Sequence, residues 1–381
     1  MTLIQDIAVK DYSDTPYRGV PTEPQNTTCR VTVDGYRSFR EKGFLVVRGL
    51  VSPADIADLR QHTEDLMQGR LPEQQARRMN ERDTKGDHGV QMQGLEAPPE
   101  HLSPEEKAQY FLRIHMLHRK LEIHERFLLH PRVLDVLQIL IGPDVLALQS
   151  MLFLKPPGKP GQGWHQDSYY IPTLPDSLCG AWIAIDDADE QNGAIWFAQG
   201  SQQEPVYPPT SGYGFGDRGI ADIAYVSGVS ETDDSQNDLS RIADRYPQIL
   251  ASAKAGDVVF FGGHVLHRSK RNFSNRSRRS FVGHYCNARS FTQWGADSPS
   301  NDPHASPTID PVTRMTNGSH ILARGDTHLP FAFPRFGIPC AATLLPEARR
   351  AQSEFAQTTQ GDMGSGDMDI APANPYAEDK D

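Results

Sequence analysis

Gly163-Trp164-His165-Gln166-Asp167 decides how this chain is read, together with a later stretch that opens Gly256-Asp257-Val258-Val259-Phe260-Phe261 and carries His264, His267, Ser269, Asn272 and Arg278-Arg279. His165 and Asp167 stand two apart, and in an extended strand residues i and i+2 share a face. An imidazole and a carboxylate are therefore expected side by side on one strand. A second imidazole from a distant strand would complete a two-His-one-carboxylate set, which holds Fe(II) on one face and leaves the remaining positions open. A lone His-x-Asp occurs by chance in many proteins, usually on a surface strand or turn. Here the context adds weight. A glycine- and proline-rich turn, Lys155-Pro156-Pro157-Gly158-Lys159-Pro160-Gly161, precedes it, and an aromatic run, Tyr169-Tyr170-Ile171-Pro172, follows. The later stretch offers an apolar strand and two candidate histidines. His264 and His267 are three apart and face opposite ways on an extended strand, so only one of them can join the set.

These residues resemble the phytanoyl-CoA dioxygenase family of Fe(II)/2-oxoglutarate oxygenases. The resemblance rests on Lys155-Pro156-Pro157-Gly158, Trp164-His165-Gln166-Asp167, Trp182 through Asp186-Asp187-Ala188, and Asn192-Gly193-Ala194-Ile195-Trp196-Phe197 with Gly200-Ser201. It extends to His267-x-Ser269-x-x-Asn272 with Arg278, and at the N-terminal side to Gly35 and Gly43-Phe44-Leu45-Val46-Val47-Arg48-Gly49-Leu50. The matched region is 33–290. The resemblance implies that His165, Asp167 and His267 are the iron ligands, with His264 a neighbouring or core histidine. It implies that Arg278 pairs with the distal carboxylate of 2-oxoglutarate, since an arginine offers two parallel N–H donors to a carboxylate. Arg276 and Arg279 are then surface charges. Ser269, Trp182 and Lys155 are implied to assist, and Gln149 and Met151 to stand where relatives contact cosubstrate or substrate. Arg113 falls near a family position whose basic side chain reaches 2-oxoglutarate. O2 is the further cosubstrate, and succinate and CO2 the by-products.

Bulk composition narrows the alternatives. The chain has 381 residues, 38% of them hydrophobic, with a net charge of −11. Its mean hydropathy is −0.54. That length supports a large core. No apolar run is long enough for a membrane span, and Met1-Thr2-Leu3-Ile4-Gln5-Asp6 lacks the basic start of a signal peptide. Cys29, Cys179, Cys286 and Cys340 are scattered, which reads as isolated reduced thiols in a cytoplasmic protein. The acidic balance argues against a nucleic-acid surface and mildly against a polyphosphate ligand such as coenzyme A.

Along the chain, residues 1–32 read as a polar arm and 33–345 as one domain. Tyr36, Phe39 and Arg40 suggest a short helix before a buried strand, Phe44-Leu45-Val46-Val47, and Ser52-Pro53 caps a helix carrying Ile56, Leu59, Thr63 and Leu66. Residues 68–104 read as a solvated loop, with a flap over the active site as the alternative. A helix is expected from Ser103-Pro104 through Tyr110, Leu112, Ile114 and Leu117, with His115, His118, His124 and His130 at helix surfaces or core edges. Strands are expected at 145–154, 179–185, 194–198 and 258–262, with Asn192-Gly193 as a type I′ hairpin turn. Short strands at this spacing suggest a mainly β protein with flanking helices, built on a double-stranded β-helix, or jelly-roll, core. Insertions 203–254 and 291–340 carry Tyr207, Tyr213, Phe215, Phe331, Phe333 and Phe336 and are expected to form a lid. The acidic tail 352–381 reads as disordered.

Two functions fit this pattern. One is an oxygenase that oxidises a C–H bond of a small organic molecule, with no nucleic-acid or membrane partner. The other is a non-catalytic jelly-roll protein that binds small molecules. Asp167 occupies the position where related halogenases have a small residue, so hydroxylation is expected rather than chlorination.

Overall fold

Strands in which alternate residues are apolar fold here into two antiparallel sheets with helices on one side. The computed structural model describes residues 31–75, 91–94, 101, 103, 111–207, 237–292, 294 and 317–337. The larger sheet runs in the order β1 (Phe44–Val47), β9 (Val258–Gly262), β6 (Cys179–Ala184), β11 (Arg278–Asn287), β4 (Val145–Lys155), β3 (Phe111–His115) and β2 (Gln91–Gly94), with β12 (Ile321–Arg324) also paired to β4. The smaller sheet runs β5 (Gln162–His165), β10 (His267–Ser269), β7 (Ile195–Ala198) and β8 (Gln248–Ala251). This is the expected jelly roll.

Period-two alternation sorts each strand between two cores. Phe44 and Val46 pack with Met151, Trp182, Phe197, Phe261 and Val282 between the sheets. Their neighbours Leu45 and Val47 join Leu59, Phe127, Leu134 and Phe281 on the helical side. Each fully buried Leu or Phe there contributes about 1.5–3 kcal/mol.

The helices begin and end where their capping residues dictate. In α1 (Val33–Lys42) the Thr32 hydroxyl accepts from Gly35 N, and Gly43, at φ 86°, closes the helix and leads into β1. In α2 (Pro53–Met67) the Ser52 hydroxyl accepts from Asp55 N, with proline at the first helical position. Two more helices, α3 (Glu122–Leu128) and α4 (Pro131–Leu140), cover the same sheet face.

Three local expectations are corrected. Residues 111–115 form strand β3 and not helix, pairing Arg113 with Phe153, Ile114 with Leu152 and His115 with Met151. The apolar positions Leu112 and Ile114 also satisfy a period of two, and the free edge of β4 decides between the two readings. His118 and His124 are fully buried, not surface or core-edge, and His130 is also buried. Asn192-Gly193 is not a hairpin turn, because β6 and β7 belong to different sheets. Only Gly193 has a positive φ there, whereas type I′ needs two. The Asn192 side chain instead accepts from Asp189 N and donates to Asp187 O, which turns the chain from one sheet to the other.

The arm up to residue 30, most of both lid insertions (208–236, 295–316 and 338–340, with Tyr213 and Phe215) and the tail 352–381 lie outside the described residues. So do Cys29 and Cys340, while Cys179 and Cys286 are buried free thiols. Among the described residues no helix is long and apolar enough to cross a membrane.

Candidate active site

The smaller sheet brings the two histidines together. β5 and β10 are adjacent and antiparallel, and His165 lies directly opposite His267. Their ring centroids are 4.1 Å apart. Asp167 arrives differently from expectation. β5 ends at His165, Gln166 is extended, and Asp167 is the first residue of a one-turn helix, α5 (Asp167–Tyr170). The turn is fixed by Ser168 N donating to Gly263 O at 2.9 Å. It still delivers the carboxylate: Asp167 Oδ1 is 3.7 Å from Nε2 of His165 and 3.7 Å from Nε2 of His267.

The ligand atoms of these three residues lie within 4.8 Å of one another, a spacing that can hold a metal ion. Tautomers agree with that use. His165 Nδ1 donates to Gly163 O at 2.8 Å and His267 Nδ1 donates to Val265 O at 3.1 Å, so each Nε2 carries a lone pair facing Asp167. The Gln162 amide donates to His165 Nε2 at 3.0 Å, and a metal would take over that lone pair. Burial and the neighbouring His267 push His165 down to about 3, so it is neutral in any ordinary buffer. Burial works against the ionised form of Asp167, but His267, His284 and His165 outweigh it and hold the carboxyl below its usual range. Two imidazoles whose Nε2 atoms face one carboxylate suit Fe(II).

His264 lies outside this set. Its Nδ1 donates to Glu204 O at 3.0 Å, and its Nε2 is 3.3 Å from Asp176.

Ser269 lies on β10 of the smaller sheet, and the other expected cosubstrate residues share the inner face of the larger sheet. Strand pairing sets Arg278 opposite Lys155, Val282 opposite Met151 and His284 opposite Gln149, with Trp182 on the far side of Val282. β11 starts at Arg278 itself. Arg278 is 2% exposed; its guanidinium lies 5.7 Å from the Trp182 ring centre and, among the described residues, bonds one protein group, the Ser280 hydroxyl at 3.1 Å. Its Nε has no partner among the described residues. Burial lowers it to about 10, with Asp186 pulling the other way. Asp186 itself is bound to Arg279. A buried guanidinium without a carboxylate of its own is unfavourable unless an anion completes it. The group fits the distal carboxylate of 2-oxoglutarate.

The other members are more occupied. Lys155 Nζ donates to Ser269 Oγ at 2.9 Å and to Lys270 O at 2.7 Å, which ties β4 to β10 beside Arg278. Met151 and Trp182 contribute apolar wall between the sheets. Gln149 spends its amide on His284, Met151 and His115. Arg113 is on β3, where burial lowers it and the charges of Tyr170 and Asp167 oppose that shift. Arg276 is exposed and pairs with Asp189 at 2.6 Å, as a surface charge should. Arg279 is not a surface charge: it is buried on the helical side, against Asp186 and Glu64.

His284 was missed. Its Nε2 lies 2.9 Å from Asp167 Oδ2. The signal was present, because His284 is an even number of residues from Arg278 and so shares its face.

Comparison with known proteins assigns the chain to a family. The family model for phytanoyl-CoA dioxygenase (PhyH) matches residues 39–280. Phytanoyl-CoA dioxygenase domain-containing protein 1 of Danio rerio is 26% identical over 294 residues, 71% of this chain and 94% of its own. The peroxisomal phytanoyl-CoA dioxygenase of Bos taurus is 25% identical over 263 residues, 68% of this chain and 69% of its own. Among solved structures, the epimerase SnoN in complex with Fe3+, alpha ketoglutarate and nogalamycin RO superposes with a TM-score of 0.51 at 16% identity, over 76% of this chain and 98% of that one. The matched span carries the paired histidines, the carboxylate between them and the buried arginine, and the chain belongs to the phytanoyl-CoA dioxygenase family of iron- and 2-oxoglutarate-dependent oxygenases.

Proposed function

We propose that this protein hydroxylates, or otherwise oxidises, a C–H bond of a small organic molecule while 2-oxoglutarate and O2 are converted to succinate and CO2. One observation carries the reading. Two imidazoles and a carboxylate converge near one end of β11, whose other end holds a buried arginine without a carboxylate partner among the described residues. In this reading His165 Nε2, His267 Nε2 and Asp167 Oδ1 hold Fe(II). Arg278 takes the distal carboxylate of 2-oxoglutarate against the Trp182 ring. Lys155 holds Ser269 and β10 in place beside it. Bound iron and 2-oxoglutarate supply the oxidising chemistry; the protein orients substrate and keeps water out. The apolar wall of Met151, Trp182 and Val282 serves that exclusion. Asp167 occupies the position that a halide would need, which favours oxygenation over halogenation.

The test has two stages. Adding Fe(II) and 2-oxoglutarate without O2 should give the weak visible colour of a metal-to-ligand charge-transfer complex. A panel of candidate substrates should then be screened for stimulated succinate release. A protein that binds small molecules yet never gives the colour or releases succinate would be a non-catalytic jelly roll. A chlorinated product would refute the assignment of Asp167.

A further inference from the structure

We propose that His284, locked into one tautomer by Gln149, is the positioning residue that makes Asp167 present a single oxygen to the metal. The inference rests on the metal-site reading above and deepens it.

The two carboxylate oxygens of Asp167 have different surroundings. Oδ1 is equidistant from the metal-facing nitrogens of His165 and His267, at 3.7 Å from each. Oδ2 is 2.9 Å from His284 Nε2. A carboxylate oxygen accepts, so His284 Nε2 carries the proton and donates. Gln149 Nε2, an amide nitrogen that can only donate, lies 3.0 Å from His284 Nδ1, so Nδ1 accepts. The second amide hydrogen points to Met151 Sδ at 3.3 Å, and the amide oxygen faces His115 Nδ1 at 3.4 Å. One N–H of Gln149 thus holds His284, and its contacts with Met151 and His115 hold the amide itself. Gln149 and His284 are both buried, so water offers no substitute.

The backbone around this pair is specialised too. His284 lies opposite Gln149, but the next residue, Tyr285, lies opposite Ala147, so the register slips by one at Leu148. Bulges of this kind re-aim side chains beside active sites.

The consequence is a matter of counting positions. On a six-coordinate metal, two histidines and one carboxylate oxygen would leave three positions, enough for a chelating 2-oxo acid and O2. A carboxylate that bound through both oxygens would leave two, and the 2-oxo acid alone would fill them. By engaging Oδ2, His284 would keep the third position open. Outer partners of metal ligands commonly change metal affinity by about 10–100-fold when removed.

The experiment compares His284→Leu, His284→Gln and Gln149→Leu with the wild type in the full chain. Fe(II) affinity is measured by direct titration without 2-oxoglutarate, and the charge-transfer band is recorded after 2-oxoglutarate is added without O2. His284→Leu should change Fe(II) affinity by about 10–100-fold and shift the band. His284→Gln places an amide N–H where Nε2–H was, and should restore both. Gln149→Leu should fall between them, because His284 remains but loses its lock. Wild-type affinity and an unshifted band in His284→Leu overturn the proposal, as does an equal loss in the leucine and glutamine variants. Should His284→Leu fail to fold, Gln149→Leu decides: wild-type behaviour on both readouts overturns the proposal. Absence of Fe(II) binding and of the band in the wild type would instead refute the metal-site reading itself.

Discussion

At the scale of single residues, the side chains differ in what their loss should cost. Among the described residues Arg278 makes one protein hydrogen bond, and its proposed partner is the distal carboxylate of 2-oxoglutarate. Arg278→Ala should therefore raise the 2-oxoglutarate requirement with little effect on Fe(II) affinity. A charge-assisted pair is worth about 1.5–3 kcal/mol, which corresponds to roughly tenfold to a hundredfold in affinity. Separate titrations of Fe(II) and 2-oxoglutarate check this, and equal losses of both would count against the assignment. Replacing His267 by Ala should abolish Fe(II) binding. The same change at His264, which faces Glu204 O and Asp176, should leave it intact. A reversal of those two outcomes would reverse the choice of ligand. The sequence made the choice between them legible through the Ser269 and Asn272 spacing. Parity put His284 on the face of Arg278, but its pairing with Gln149 and Asp167 was not legible, because a strand register is set by the partner strand and both lie far away in sequence.

Elements decide where those residues point. The strands at 44–47, 145–155, 179–184, 195–198 and 258–262 were legible because each is a run of apolar residues bounded by turn formers. The capped helix at Ser52-Pro53 was legible for its own chemistry. β3 was not, since Leu112 and Ile114 fit either period and only the unpaired edge of β4 resolves them. Nor was the end of β5. Asp167 does not share a strand with His165, because α5 folds against the chain at Gly263. That close approach gives a test. A Cβ on Gly263 would lie 2.2 Å from Ser168 Oγ and 2.9 Å from Leu178 Cβ. A Cβ on the preceding Gly262 would meet only Gly43 O, at 4.0 Å. Gly263→Ala should therefore push α5, and with it Asp167, away from the two histidines and weaken Fe(II) binding by about tenfold or more. Gly262→Ala should bind Fe(II) like the wild type. Direct metal titration of both variants decides, and a Gly263→Ala protein with unaltered affinity would show that α5 can shift without carrying its carboxylate along.

At the scale of the whole molecule, the helical layer behind the larger sheet buries histidines as neutral groups. His124 of α3 is fully buried, and neither ring nitrogen has a partner among the described residues. Its ring centre lies 5.2 Å from that of His62 and 5.9 Å from that of Phe281. Burial, then His62 and His118, hold His124 well below the usual imidazole range. Burial likewise lowers His118, and it takes His62 down to about 4. Their folded values lie below the unfolded value of about 6.5, so the unfolded chain binds more protons in the window beneath it. Stability is then fully present above about pH 6.5 and is lost as pH falls toward the folded values. The urea midpoint should accordingly drop between about pH 8 and about pH 5. His124→Leu removes one of these groups and an unsatisfied buried imidazole together. At the higher pH it should be neutral or stabilising by about 1 kcal/mol. At the lower pH its advantage over the wild type should grow by on the order of 1–2 kcal/mol, because one proton-linked loss has been deleted. An acid-induced loss of the same size in both proteins would mean that the histidines behind the sheet do not set the acid limit of this fold.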